Sequence, residues 1–395
     1  MALTKDERKA DRSGRERSLY VHVPFCRHRC GYCNFSLVAG REYLIDRYLH
    51  AIQIEVDQLD VDQIKSDLHV STVFLGGGTP SHLSPSQLQR LVSTLRSRFS
   101  WDANDVEFSI ECNPEDFDEE KRDAFAELEI NRISFGIQSF SDSKLKLLER
   151  GHNAWDIERS TKLALSMTKN ISFDLIFAVS DESWPNWKQD LQTAIELGPA
   201  HISTYELTIE KGTAFWNRHQ QHQLVVPNEE QRLEMYLSTI EFLESAGYKH
   251  YEISSFARDD QQCKHNLAYW NGNDYYAIGP GAASYVDGIR RVNHRSTTTW
   301  LNRLEANQSP ITITENLNPT EKAIDLMVFG LRQIGGISVK IIQNQTTIDL
   351  SEFGSEVLQQ HARLGLADFD GDICRLTRKG ITLYDSIAQD WINLV

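Results

Sequence analysis

Cys26, Cys30 and Cys33 stand in the segment Cys26-Arg-His-Arg-Cys30-Gly-Tyr-Cys33, a C-x3-C-x2-C spacing. Thiolates this close suit an iron–sulfur cluster or a zinc ion, because both favour soft sulfur ligands and both normally take four. No fourth cysteine is nearby, and Phe35 stands two positions past Cys33. A [4Fe–4S] cluster held by these three keeps one iron open to a non-protein ligand, and an open iron is a place for chemistry. Structural zinc or buried free thiols remain the alternatives when the spacing is taken alone. Cys112, Cys263 and Cys374 are scattered singly, and residues 1–18 carry no apolar leader. A reducing, cytoplasmic setting with a metal site therefore explains the cysteines better than disulfides do.

Such a loop needs elements that hold it. From Leu19 to about residue 210, short β-branched runs alternate with amphipathic stretches. Strands are expected over 19–24, 70–76, 105–112, 132–138, 171–179 and 201–208. Helical spacing appears over 42–59, where Leu44, Tyr48, Ile52, Val56 and Leu59 share a face. Ser84-Pro85 marks another helix start, a cap residue followed by proline at the first helical position. Further helices are expected near 118–128, 155–169 and 186–197. Six β-α units in series predict an α/β fold with a parallel sheet, either an open sheet or a barrel, full or partial.

In such folds ligands bind at the carboxyl ends of the strands. The cysteine loop, Gly76-Gly77-Gly78-Thr79-Pro80, Glu111, Gln138 and Asp174 all fall at such ends. They come from five strands, and the fold should bring them to one rim. The glycines let a ligand approach bare backbone, and their N–H groups could bind a carboxylate. Taken singly, the triple glycine reads as a turn and Glu111 as a surface charge; their convergence is what carries weight.

Beyond the barrel, a helix over 229–246 is followed by a glycine- and aromatic-rich stretch, 248–285. Residues 295–318 are polar and read as a linker. Residues 319–395 carry two helical runs, 321–333 and 354–364, a Gly335-Gly336 break and alternating residues at 373–377, which fits a small helix–helix–β-wing module. The expected division is a disordered tail (1–18), a core barrel (19–250), a segment with linker (251–318) and a C-terminal domain (319–395).

The stretch Tyr20-Val-His-Val-Pro-Phe-Cys26-x3-Cys30-x-Tyr32-Cys33 closely resembles the radical S-adenosylmethionine (SAM) proteins. The resemblance implies a partial (β/α)6 TIM-like barrel with a winged-helix-like α+β domain behind it. It also implies a [4Fe–4S] cluster on Cys26, Cys30 and Cys33, whose open iron takes the amino and carboxylate groups of SAM and whose electron can cleave SAM to a 5′-deoxyadenosyl radical. The glycine loop resembles the motif that holds those SAM groups, through Gly77, Gly78 and Thr79. In the coproporphyrinogen oxidase-like branch, SAM-pocket positions match Glu111, Gln138 in Ser134-Phe-Gly-Ile-Gln138, Arg150 in Glu149-Arg150-Gly151-His152, and Asp174 in Phe173-Asp174-Leu175. Tyr20 matches a SAM-contacting aromatic, and Tyr32 is the aromatic before the third cysteine.

Within that branch the chain resembles the HemW-type heme chaperones more than the oxygen-independent coproporphyrinogen III oxidases. The oxidases continue as C-x3-C-x2-C-x-C, where this chain has Cys33-Asn34-Phe35, and they carry a longer N-terminal segment than the 19 residues preceding Tyr20. His265-Asn266-Leu267-Ala268-Tyr269-Trp270 matches the H-N-x-x-Y-W motif of the chaperones, implicated there in heme binding. Imidazole is a common axial ligand of heme iron, and tyrosine and tryptophan can flank a flat macrocycle. His265 is thus the expected heme ligand, Cys263 its alternative, and a packed aromatic turn with a satisfied histidine the purely structural option. Two departures stand out. Ala178-Val179-Ser180-Asp181 replaces a G-L-P-G-like turn, and Ala283 in Gly279-Pro280-Gly281-Ala282-Ala283 stands where relatives have histidine.

The implied function is a cytoplasmic heme chaperone, without a catalytic residue assigned, that binds heme and hands it to an unidentified acceptor protein. The alternatives are a radical SAM oxidoreductase acting on a tetrapyrrole and a zinc-stabilised binding protein. A formal charge of −15 argues against nucleic acid or an anionic membrane as main partner. Nothing approaches the ~18 apolar residues of a membrane span, so no integral membrane protein is expected, though passing contact with one is compatible.

Overall fold

The computed structural model describes residues 17–59 and 68–395. The expected tail lies outside the described residues, except that Arg17 and Ser18 already belong to the first strand. Six strands, β1 (Arg17–Val23), β2 (Thr72–Gly77), β3 (Glu107–Cys112), β4 (Arg132–Gln138), β5 (Ile171–Phe177) and β6 (His201–Glu206), pair in parallel in sequence order. The intervening helices include α1 (Ile45–Gln58), α2 (Pro85–Arg96), α3 (Glu119–Glu127), α4 (Ala154–Leu165) and α5 (Trp184–Leu197), and α6 (Glu229–Ser245) and α7 (Thr297–Glu305) follow the sixth strand. The α/β reading therefore holds, and the strand and helix positions agree closely with the sequence periods. Ser84 caps α2 through a reciprocal bond pattern with Gln87, as its sequence suggested.

The alternation along each strand divides the barrel chemically. On β1, Leu19, Val21 and Val23 are fully buried with their outer neighbours Val73, Leu75, Phe108 and Ile110, forming the main core beneath the helices. The other face puts Ser18, Tyr20 and His22 beside Thr72, Phe74 and their counterparts, so the lumen is largely polar. A period-2 strand with one apolar and one polar face normally meets solvent on one side. Here the polar face meets the interior of a partial barrel.

The sheet is larger than expected and does not close. Beyond β6 lie β8 (Ser255–Ala257) and β7 (Lys249–Glu252), both antiparallel. On the other side β1 pairs in parallel with β9 (Asp274–Ile278), followed by the antiparallel β10 (Ala283–Val286), β11 (Ile289–Asn293) and β12 (Ile311–Asn316). The polar linker expected over 295–318 is therefore corrected. It holds a helix, Thr297–Glu305, and the edge strand β12. Trp300, Leu301 and Leu304 of that helix are fully buried against the core.

From Pro319 onward a second core forms around Met327, Ile342, Leu350 and Trp391. Helices α8 (Pro319–Gly330), α9 (Val339–Thr346) and α10 (Ser355–Arg363) precede a hairpin of β14 (Ala367–Phe369) and β15 (Ile373–Leu376), with β13 (Ile337–Ser338) on the outer side of β15. This module joins the barrel by backbone bonds from Ile253 N–H to Arg332 O (3.1 Å) and Ile334 N–H to Tyr251 O (3.1 Å). No described helix is long and apolar enough to cross a membrane.

Candidate functional site

The carboxyl ends of the barrel strands open into one cavity of about 1490 Å³. Every site residue named from the sequence lines it except Tyr20 and His265. The rim thus unites the cysteine loop, the glycine loop, Glu111, Gln138, Arg150 and Asp174, as the strand order demanded.

The cysteine loop leaves β1 at Val23, passes through a two-residue strand, Phe25–Cys26, and turns at Cys33, whose N–H donates to Cys30 O (3.0 Å). All three cysteines are free thiols. Cys26 is buried with its Sγ 3.3 Å from Thr79 Oγ1, and burial pushes its pKa up to about 11. Burial raises Cys33 as well. Arg150 reaches Cys30 Sγ through Nη1 (3.7 Å) while its other arm donates to Asn113 Oδ1 (2.6 Å) and Gly136 O (3.0 Å). Thiolates in so dry a setting need positive charge beside them.

The glycine loop acts differently from the expectation. Its N–H groups are not offered to a ligand: Gly77 donates to Glu111 Oε2 (2.9 Å), Gly78 to Val23 O (2.8 Å) and Thr79 to Phe25 O (2.8 Å). The loop is sewn to the cysteine strand, and glycine is required because a Cβ on Gly78 would come within 2.7 Å of Phe25 O. What the glycines give a ligand is room, with the backbone donors spent on positioning the cysteines.

Glu111 and Asp174 face each other inside the rim, and Asp174 accepts from Ser134 Oγ (2.8 Å). Burial, then the Asp174 charge, pushes Glu111 up to about 7, with the Gly77 N–H opposing. Burial also raises Asp174. Gln138 ends β4 after a register shift, with φ of 65°. That conformation is uncommon for a residue with a side chain, and it turns the chain out of the strand at the cavity rim. Tyr32 packs edge-on to Phe215 at 6.0 Å. Sequence reasoning missed Asn113, which joins Arg150 to Thr79 (3.4 Å) from within the very motif that supplied Glu111. It also missed module residues 381–386, which wall the mouth from the far end of the chain.

Tyr20 and His265 lie outside this mouth. The Tyr20 hydroxyl bonds His22 Nδ1 (3.0 Å), and its ring lines a second cavity instead of the mouth. His265 lies in a short helix, Lys264–Trp270, and is 1% exposed. Its Nδ1 meets Thr72 Oγ1 (2.7 Å) and its Nε2 meets Tyr269 OH (2.8 Å). Its backbone N–H donates to Glu107 Oε1 (3.0 Å), and burial lowers the ring to about 3. It is a neutral histidine sealed into the barrel floor. Thr72 opens β2 and Gly77 ends it, roughly 16 Å apart at ~3.3 Å per residue. In this conformation no ring nitrogen of His265 is free for iron. Cys263 is buried against Glu107 and equally inaccessible.

Residues 20–194 match the model of the radical SAM superfamily. Over 372 residues the chain is 32% identical to the heme chaperone HemW of Bacillus subtilis (strain 168), covering 94% of this chain and 98% of that protein. The chain belongs to the HemW family. It is also 38% identical over 271 residues to HemW of Escherichia coli (strain K12), covering 68% and 70% of the two chains. Its fold matches the structure of coproporphyrinogen III oxidase (HemN) from Escherichia coli, a radical SAM enzyme, with a TM-score of 0.84. At 23% identity, and covering 100% of this chain and 94% of that one, this second likeness speaks for the fold alone.

As a HemW-family member within the radical SAM superfamily, the chain is implied to carry a [4Fe–4S] cluster and SAM, and the residues fit both. Three free thiols share one cavity wall, beside a guanidinium and a buried carboxylate pair. Among the described residues no three His, Cys, Asp or Glu side chains converge as ligands of a single ion would.

Proposed function

We propose that the protein is a cytoplasmic heme chaperone that binds heme, carries a [4Fe–4S] cluster and SAM at the barrel mouth, and passes heme to an acceptor protein. The observation that carries this reading is the end-to-end identity with a curated heme chaperone, 32% across nearly the full length of both chains. The cysteine loop supports it. Position 35, where the oxidases have a further cysteine, is a phenylalanine 64% exposed.

Cys26, Cys30 and Cys33 would hold the cluster, which when bound supplies an open iron and an electron. Thr79 hydrogen-bonds Cys26 and Arg150 steadies Cys30, so the pocket orients the thiols before any iron arrives. Both Asp174 oxygens already accept from serine hydroxyls, Ser134 (2.8 Å) and Ser172 (3.4 Å), while Glu111, with one oxygen on the Gly77 N–H, keeps the other for the ribose hydroxyls of SAM. Gln138 and Arg150 close its polar side.

A second reading, a radical SAM oxidoreductase acting on a tetrapyrrole, draws on the size of the mouth. Its volume of about 1490 Å³ exceeds the ~300–1,000 Å³ of ordinary ligand sites and leaves room beyond SAM.

Hemin titration of protein reconstituted anaerobically to about four irons per chain tests the chaperone reading. A saturable Soret band is expected, and His265→Ala should lower stability while leaving that band in place. Absence of hemin binding by the cluster-loaded wild type would sink the proposal.

A further inference from the structure

On the other side of the cysteine loop lies a second cavity of about 560 Å³. Its walls come from β1, the Lys264–Trp270 helix, the β9–β11 hairpins and α8. We infer that this cavity is the heme site, its ligand held by the lining aromatic rings and by Lys322 and Arg295. The inference rests on the chaperone reading and gives it a place.

Three observations converge. First, the walls carry a connected run of rings. Phe329 lies 6.2 Å from Trp270, Tyr269 lies 4.6 Å from Tyr275, and Tyr275 lies 6.2 Å from Tyr285. Two of the lining rings, Phe35 and Phe329, stand 64% and 37% exposed. Apolar rings left open at a cavity mark a ligand of matching surface.

Second, the charges fit a flat molecule with two carboxylates. Arg290 is already answered by Glu315 (3.1 Å) and by Asp325. Lys322 and Arg295 have no carboxylate partner among the described residues, although the chain as a whole is strongly acidic. Two cations without counter-charge beside an aromatic cavity are complementary to the two propionates of heme.

Third, the motif that suggested heme binding divides here. His265 is spent in the barrel floor, while Tyr269 and Trp270 reach this cavity. The one histidine lining it, His22, has both ring nitrogens engaged, by Tyr20 OH (3.0 Å) and Ser36 O (2.6 Å). Heme held by its faces and edges, with no imidazole on the iron from this wall, is held for release. Asn34 and Phe35 line both cavities, so the segment right after Cys33 is the partition between heme and cluster. Arg295 is tied to that partition through Asn34 Oδ1 (2.9 Å).

The test compares hemin with its dimethyl ester on the cluster-loaded full chain. Lys322 and Phe329 are good probes because neither is fully buried. Lys322→Glu is expected to weaken hemin about tenfold, the size of one charge-assisted contact. The ester, lacking carboxylates, should bind wild type and Lys322→Glu alike, and Phe329→Asp should weaken both probes. Unchanged cluster absorbance and far-ultraviolet dichroism verify folding. Wild type that binds hemin while both variants match it overturns the site and leaves the chaperone reading standing. Wild type that binds no hemin overturns both.

Discussion

Glu111 sits buried with one carboxylate oxygen on the Gly77 N–H (2.9 Å) and the Asp174 carboxylate as its neighbour. Its folded pKa of about 7 stands above the ordinary ~4.3. The folded state therefore favours the protonated form. In cofactor-free protein this contribution to stability is complete below the ordinary pKa and is lost as pH rises through about 7. Glu111→Gln keeps an acceptor for Gly77 and removes the charge, so thermal melts should show the variant gaining on wild type between pH 5 and pH 8. A difference that stays constant over that range would contradict the assignment. Residue identity was legible where chemistry and strand position agreed, as with Glu111 and Gln138 at the ends of β3 and β4, whereas Asp174 stands midway along β5 and still lines the mouth. The placement of His265 was not legible, because a motif names a side chain and not the direction it faces. The polar lumen gave that imidazole two partners, Thr72 and Tyr269, which no local pattern reveals.

At the scale of elements, the cysteine loop and the glycine loop form one unit, since Gly78 and Thr79 donate to the backbone on either side of Pro24. A Cβ at Gly78 would meet Phe25 O at 2.7 Å and Pro24 C at 2.9 Å, both backbone atoms that cannot swing aside. Gly78→Ala should therefore destabilise by about 1–3 kcal/mol, the range for overpacking, and lower iron incorporation. Iron and melting temperature together decide it, and full iron content with an unchanged melt would contradict the account. Six strands and their helices were legible because their apolar faces pack on one another. The helix Thr297–Glu305 was not, because it opens on the polar run Ser296-Thr297-Thr298-Thr299. Trp300, Leu301 and Leu304 gave the missed signal. Strand β12 is an exposed edge, so its side chains carry no period of burial.

Across the whole molecule, two cavities lie back to back with Asn34 and Phe35 between them. The C-terminal module borders both, through α8 at the aromatic cavity and residues 381–386 at the barrel mouth. Its grip on the barrel is by backbone, Ile253 to Arg332 and Tyr251 to Ile334, with Arg378 bridging Glu241 (3.0 Å) and Glu244 (3.3 Å). Contacts between residues so far apart in sequence leave no local trace, so the module's place could not be read from the chain, although two of its helices could; Val339–Thr346 and Tyr384–Ile392 were not. The central claim is that the radical SAM scaffold here serves heme delivery. One cluster-loaded preparation should be split, half loaded with hemin and mixed with a heme-free acceptor, half reduced with SAM and coproporphyrinogen III. The account predicts that the Soret band moves to the acceptor and that no protoporphyrinogen IX forms. Decarboxylation of the porphyrinogen with hemin retained or never bound would contradict it.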